Sequence, residues 1–455
     1  MKNKFYIASR LSKIEISETE KAEIKAALQS ISEDLAAQQD FFGYCKKWKL
    51  GPWAYVQLKR LNFLDLLLPE VQKSFEAMHT KVYQQNGERN QEAKIYLEQF
   101  AEQGIDAAIL KGNLLIHTAY NDLGYKKMND FDMLVHMEDW DRIQDVYFGL
   151  DYIPLGFGWS GEKQKPTKFS HTGIPFISRN YKCIIGTQWG IKSPTSKYRV
   201  NMPRLWEESS EFIFEGVKAK QLSPAHNLLH LILHMGVYKC GIRDCMDVHN
   251  LLLSRDDWDE DHLVELFAES KATEKAYFTL SLSNLCSGIV SENLLARLKP
   301  KSGGYLMSRL KKRLALFERT GDFQHAYHDY FQDIEMCLFN FNLYPKFHQR
   351  ILTFLKLNRL IFWPRTEISR KLSDVLPDDS LWQKFQARIK APYLVFALIA
   401  EEIGWGITMM LFAKLFVDIF TSLKNYFVKK PSYFDYLKER GVDPNDILKA
   451  VDQIQ

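Results

Sequence analysis

At 455 residues the chain is too long for one simple hydrophobic core, and two or three packed units are expected. Hydrophobic residues at 46% and charged residues at 25% describe an ordinary globular protein and exclude a disordered one. Against 56 acidic residues stand 60 basic ones, and the net charge of +4 is too small to argue for nucleic acid by itself.

Taken in chain order, residues 18–100 predict helices, with apolar residues at three- and four-residue spacing in EIKAALQSISEDLAA and KIYLEQFAEQ. Gly104 stands where a glycine closes a helix. The period then changes. IDAAIL (105–110) is a short apolar run ending at Lys111-Gly112, NLLIHTAY is helical, FDMLV (131–135) reads as a strand, and EDWDRIQDVYFGL (138–150) reads as a helix opened by acids. Strand-like runs follow at 167–178, 182–191 and 212–222, the last with a turn at Glu215-Gly216. The intervening GFGWSGEKQKPT has the composition of a loop. From Ser223-Pro224 a capped helix begins, and helical patterns continue to the end. A small mixed α/β unit thus sits between helical segments.

Six cysteines are scattered without a CxxC pair, and MKNKFYIASRLSKIEISETEK lacks the apolar core of a secretion signal. The expectation is a reducing cytoplasm with free thiols. The apolar stretch 391–420 is interrupted by Glu401, Glu402, Lys414 and Asp418, so no transmembrane segment is expected. It reads as buried helices, with peripheral membrane contact as the alternative.

Asp130 and Asp132 carry the chemistry. On a strand, residues two apart point to one face, so both carboxylates project together. Such carboxylates repel unless a cation lies between them, and Mg²⁺ takes hard oxygen ligands of this kind together with substrate phosphates. Upstream, Gly112 lets a phosphate approach the backbone. The N–H groups of Gly112 and Asn113, opening a helix, form an anion site to which Lys111 adds a charge. A lone Asp-x-Asp is common by chance, and its bland reading is a solvated surface pair; the ordered combination of strand, Lys-Gly, helix, basic turn, Asp-x-Asp and strand is what gives it weight.

This combination resembles the uncharacterised nucleotidyltransferase family of the polymerase-beta-like nucleotidyltransferase superfamily. ILKG (109–112), Tyr120 and KKMNDFDMLV (126–135) match that family's Leu-Lys-Gly strand end, helix tyrosine and Arg-x-Met-Gly-Asp-x-Asp-Leu-Leu-Val segment. PAHNLLHLILH (224–234) and IRDCMDVHNLLL (242–253) match its two helical motifs through His230, His234, Arg243 and Asp247. The resemblance covers roughly residues 40–290. It implies an α+β fold, a small mixed sheet with helices, flanked by helical regions. The implied units are an N-terminal helical region (1–100), a nucleotidyltransferase core (101–222), a helical domain on that core (223–300) and a further helical region (301–455). It also implies transfer of a nucleoside monophosphate from an NTP such as ATP to an acceptor hydroxyl or phosphate, with Mg²⁺ or Mn²⁺ held by Asp130 and Asp132. Lys111 joins them as a catalytic residue; Lys111, Gly112, Asn113 and Lys126 serve as nucleotide contacts, and His230, His234, Arg243 and Asp247 as auxiliary residues. The acceptor, whether small molecule, RNA or protein, and the oligomeric state are left open.

The chain departs from the pattern at IIGTQWG (184–190), where Gly186 stands in place of a third acid and Gln188 in place of a histidine; Lys126 replaces the usual arginine and Asn129 a glycine. The alternatives are therefore a nucleotide-binding scaffold or sensor without turnover, or a toxin-like enzyme modifying tRNA or protein; Glu207 or Glu208 is a candidate replacement acid. His226, His230 and His234 share a helix face and, with Asp247, form a possible metal cluster. The plainer reading is a buried network in which Arg243 and Asp247 satisfy the histidines. RLKKR (309–313) reads as a solvated helix face or an anion contact, Cys240 and Cys245 as core residues, and 325–348 as core packing.

Overall fold

The computed structural model describes residues 4–155, 163–167, 169–235, 241–301, 303–323, 330, 333–334, 337, 347–373, 375, 378–427 and 433–454. Most of the 156–167 loop, Cys240 and most of 325–348 lie outside these residues. The fold is α+β. One seven-stranded mixed sheet, in the order β3-β4-β5-β2-β1-β7-β6, lies among many helices. Its strands are β1 (Ala107–Ile109), β2 (Phe131–Val135), β3 (Ile153–Pro154), β4 (Phe176–Ile177), β5 (Ile184–Gln188), β6 (Ser210–Phe214) and β7 (Val217–Gln221). β2 runs antiparallel to β1 and parallel to β5, which places the middle of the motif at the middle of the sheet.

Local chemistry accounts for the helix ends. Ser17 and Glu20 form a reciprocal capping box on the helix Glu18–Gln29, and Asp34 caps Leu35–Lys47. The 34-residue helix Pro69–Glu102 starts at a proline. It stops where Gly104 takes φ +65° and the Ile105 N–H closes onto the Phe100 carbonyl at 2.8 Å. Ser223 caps Pro224–His234 as its sequence predicts.

Two apolar clusters sandwich the sheet. One joins the helices Pro69–Glu102 and Trp140–Gly149 to Phe131, Met133 and Val135; the other extends from Phe5 to Leu398 and takes in Ala108, Leu134 and the helices Pro224–His234 and Ile242–Leu253. A third, smaller cluster packs Tyr433–Glu439 and Pro444–Ile454 against β3 and β4.

Three expectations change. The strand expected over 167–178 shrinks to Phe176–Ile177 plus a single bridge from Thr172 to Gln188, because Pro175 has no N–H to continue the ladder. The RLKKR run is solvated only at Lys311 and Lys312. Arg309 and Arg313, four apart, are both 2% exposed and donate to the carbonyls of Leu372 (2.6 Å) and Phe323 (2.5 Å). The 391–420 stretch is buried only on one side. It forms parts of the helices Leu381–Ile403 and Trp405–Phe427, whose outer faces expose Tyr393, Met409, Met410, Val417 and Phe420. Among the described residues no single helix is long and apolar enough to cross a membrane, although Leu381–Glu401 and Trp405–Lys414 pass that test together across a 114° bend.

Candidate active site

β2 sends alternate residues to opposite sides. Phe131, Met133 and Val135 enter the cluster under Pro69–Glu102, whereas Asp132 and Leu134 face the helical side. Asp132 is 6% exposed, and Asp130, just before the strand, is exposed. The carboxylate of Asp132 is held from two directions: Lys111 Nζ donates to Oδ2 at 2.6 Å and Gln188 Nε2 to Oδ1 at 3.2 Å. Lys111 sits at the turn out of β1 with φ +54°, a left-handed backbone that costs a non-glycine residue energy. The Leu110 N–H, one residue earlier, pairs with the Asp132 carbonyl at 3.1 Å.

The register of β2 with β5 sets Gly186 directly opposite Asp132. A Cβ on Gly186 would lie 2.4 Å from Asp132 Oδ1, so glycine leaves the room that this carboxylate pose occupies. Asn113 Nδ2 donates to the Asp130 carbonyl at 3.1 Å, while Asn113 Oδ1 and Asn129 Oδ1 are buried without a partner. Asp130, Asp132 and the unpartnered Asn113 and Asn129 oxygens are hard-oxygen donors of the kind Mg²⁺ or Mn²⁺ takes. Among the described residues no group of three or more His, Cys, Asp or Glu gathers at metal-holding distance, so a second ion lacks a third carboxylate.

Nitrogen-bearing groups flank the aspartates on both sides. Near Lys111 lie His171, Lys192 and His230. Burial, followed by the charges of Lys192 and Lys111, pushes the His171 imidazole down to about 4. Burial first, then Lys111, His171 and Lys192, holds His230 well below the ordinary histidine value, and its Nδ1 has no partner. Both rings are therefore neutral at pH 7. On the Asp130 side, Arg89 is 2% exposed; burial lowers its pKa, with Cys183 and Asp130 among the groups opposing that fall. Lys127 feels the charges of Lys81, Arg243 and Arg89. Lys81, Arg89 and Lys182 contribute to the wall of a cavity of about 280 Å³.

Residues 34–288, more than half of the chain, match the model of a family described as an uncharacterised nucleotidyltransferase. The chain belongs to this nucleotidyltransferase family. No curated protein matches it.

Of the residues that the family pattern singles out, Lys111, Gly112, Asn113, Asp130 and Asp132 come together at the mouth of β1 and β2. Lys126 does not join them as a phosphate contact. It is 4% exposed, its amine pairs with Asp247, and its stem packs under Gly112, where a Cβ would meet Lys126 Cε at 3.4 Å. Asp247 also accepts from Tyr120 at 2.6 Å, so it braces the turn before Asp130 to the helix Ile242–Leu253. This draws Asp247 away from the role that both readings of the histidine face gave it. Arg243 donates to the Lys127 carbonyl at 3.2 Å, and His226 Nδ1 lies 3.1 Å from Glu208 Oε2. His230 and His234 lie with ring centroids 6.2 Å apart, and Asp247 is committed to Lys126 and Tyr120. Glu208 pairs with Arg204 and His226, which takes it out of the role of replacement acid.

Arg89, Lys127, His171 and Lys192 were not among the candidates from the sequence. Arg89 lies in the middle of a long helix and His171 and Lys192 in irregular segments, without a local motif to mark them. Gln188 had a signal, its two-residue offset from Gly186 on one strand face.

Proposed function

We propose that the protein transfers a nucleoside monophosphate from an NTP to an acceptor hydroxyl or phosphate, releasing pyrophosphate, with Asp130 and Asp132 at the reacting centre. The observation that carries this is the Asp132 carboxylate on the central strand, held by Lys111 and Gln188, with Asp130 two residues before it and tied through its carbonyl to Asn113 of the Lys111-Gly112-Asn113 turn. Asp130 and Asp132 would hold Mg²⁺ or Mn²⁺, which when bound neutralises charge on the phosphate oxygens. Lys111 and Gln188 fix the Asp132 carboxylate, so its orientation is set before substrate arrives. Each carboxylate oxygen keeps a lone pair beyond these two contacts. The N–H groups of Gly112 and Asn113 and the Lys111 ammonium are the contacts for the triphosphate. Neutral His171 and His230 leave the cationic charge on Lys111 and Lys192 undivided.

A second reading, nucleotide binding without turnover, draws on Gly186 at the position of a third acid and on the closed Lys111–Asp132 pair. One experiment separates the two. Purified protein is incubated with each NTP labelled at the α-phosphorus, Mg²⁺ or Mn²⁺, and pools of RNA, protein lysate and small metabolites. Label transferred onto a pool supports catalysis; NTP binding that depends on Asp130 and Asp132 without transfer supports the scaffold; neither overturns the site.

A further inference from the structure

We infer that the acceptor presents a terminal phosphate monoester, seated in the cavity lined by Lys81 and Arg89; this rests on the nucleotidyl-transfer reading above. Two independent features support it. The first is electrostatic. Arg89 is buried inside the helix Pro69–Glu102, is held by Asn86 Oδ1 at 2.7 Å, and its Nε has no partner. Lys81 shares the cavity wall with it, and Lys127 nearby feels the charges of Lys81, Arg243 and Arg89, so an anion there relieves their repulsion. Glu88 in the same wall pairs with Lys182 at 3.0 Å and also acts on Arg89, but with Lys81, Arg89 and Lys182 the wall keeps an excess of cations. Arg89 feels the charge of Asp130, so the pocket adjoins the proposed cation site.

The second feature is the lack of a base among the described residues that face Asp132. Opposite Asp132 stand a glycine and an amide, Gly186 and Gln188, and the neighbouring His171 is too weakly basic to take a proton near pH 7. A hydroxyl nucleophile needs such a group. A phosphate monoester does not, because its oxygen is already ionised at neutral pH. In the step, an ionised oxygen of the acceptor phosphate forms a bond to the α-phosphorus of the NTP. The bond from that phosphorus to the pyrophosphate oxygen breaks, and its electron pair leaves with pyrophosphate. No proton changes hands, and the product is a phosphoanhydride.

The test uses the α-labelled NTP with a small-metabolite extract and with total RNA, each before and after phosphatase treatment and removal of the phosphatase. Label that enters one pool and is lost on its dephosphorylation supports the inference, and the pool that responds tells small molecule from RNA. Equal labelling of treated and untreated pools overturns it while leaving nucleotidyl transfer standing; no labelling anywhere overturns both. K81A/K127A is expected to raise the KM for acceptor at least tenfold with the KM for NTP unchanged. An unchanged acceptor KM overturns the placement.

A different set of residues carries a second proposal: the structure assigns the outer face of Leu381–Ile403 to a lipid surface bearing anionic headgroups. At about 100° per residue, Leu381, Trp382, Phe385, Ile389 and Tyr393 fall within about 120° of one another. All are exposed, Leu381 at 83% and Trp382 and Ile389 at 64%. Ala387, Ala391, Val395 and Leu398 line the opposite, buried side. The patch continues across the Gly404 bend through the stacked rings of Tyr393 and Trp405, and laterally through Trp363, over which Arg388 sits at 5.5 Å. Lys384 and Arg388 border one edge and Lys390 the other, and no acid occurs from Leu381 to Ala400. Aromatic and aliphatic side chains edged by cations match the boundary of an anionic bilayer.

Cosedimentation of the full chain with phosphatidylcholine vesicles, with and without phosphatidylserine, tests this. Binding to the anionic vesicles is expected, weakened by salt, and at least tenfold weaker for W382E/F385E with an unchanged melting curve. No sedimentation of the wild type, or equal sedimentation of the variant, overturns it. So does a wild-type dimer that W382E/F385E converts to monomer without vesicle binding, which would assign the face to a second copy.

Discussion

Gly186→Ala probes the carboxylate pose with one methyl group. The new Cβ would stand 2.4 Å from Asp132 Oδ1. Ordinary contact requires the carboxylate to retreat by about 1 Å, and a misplacement of that size can cost about 100-fold in rate. The retreat cannot be absorbed freely, because Gln188 holds the same oxygen at 3.2 Å and Lys111 holds the other at 2.6 Å. Losing a hydrogen bond to a charged group costs about 1.5–3 kcal/mol. The expected outcome is a ten- to hundred-fold fall in label transfer and weaker Mn²⁺ binding by calorimetry, with a loss of at most about 3 kcal/mol in urea unfolding. Wild-type transfer and Mn²⁺ affinity in Gly186→Ala would refute the argument that Asp132 works in this pose.

Asp247→Ala leaves the buried Lys126 amine without its partner, and a loss of about 3–5 kcal/mol in urea unfolding is expected, whereas K126M/D247L should lose much less. Gly43 and Gly87 lie within helices with open space where a Cβ would go, so alanine at either should raise stability by about 0.5–1 kcal/mol. His249, 3% exposed, is pushed down to about 3 by burial and by Lys13, and His171 to about 4. A histidine whose folded pKa lies below its unfolded value near 6.5 contributes fully above 6.5. The contribution is lost as pH falls, because the unfolded chain takes up the proton first. The unfolding free energy from urea titration should therefore drop between pH 6.5 and 4, by up to about 3 kcal/mol for each such histidine, and His249→Gln should flatten that slope.

Local pattern made much of the scaffold legible. The apolar run 131–135 is a strand with those bounds, Gly104 does close the long helix, and the Glu215-Gly216 turn joins β6 to β7. Lys111 does reach Asp132, and Asn113 the Asp130 carbonyl, because strand, turn and helix follow one another within 25 residues and the chain has little freedom to separate them. Partners distant in sequence were not legible. Lys126 finds Asp247 across 121 residues, and Gln188 finds Asp132 across 56. Periodicity states which face a side chain takes on its own element, never what that face meets. The same gap hid the inward turn of Arg309 and Arg313, whose four-residue spacing puts them on one face without telling whether it looks to solvent or to the Leu372 carbonyl. It also hid the outward turn of the Leu381–Ile403 face, where apolar content suggested burial.

The most direct test compares NTP labelled at the α-phosphorus with NTP labelled at the γ-phosphorus, using wild type and D130N/D132N with Mg²⁺ and the mixed acceptor pools. Nucleotidyl transfer predicts that the α-label alone moves onto acceptor, that the γ-label leaves as pyrophosphate, and that D130N/D132N does neither while melting like the wild type. Transfer of the γ-label, or α-label transfer that survives D130N/D132N, would contradict the account.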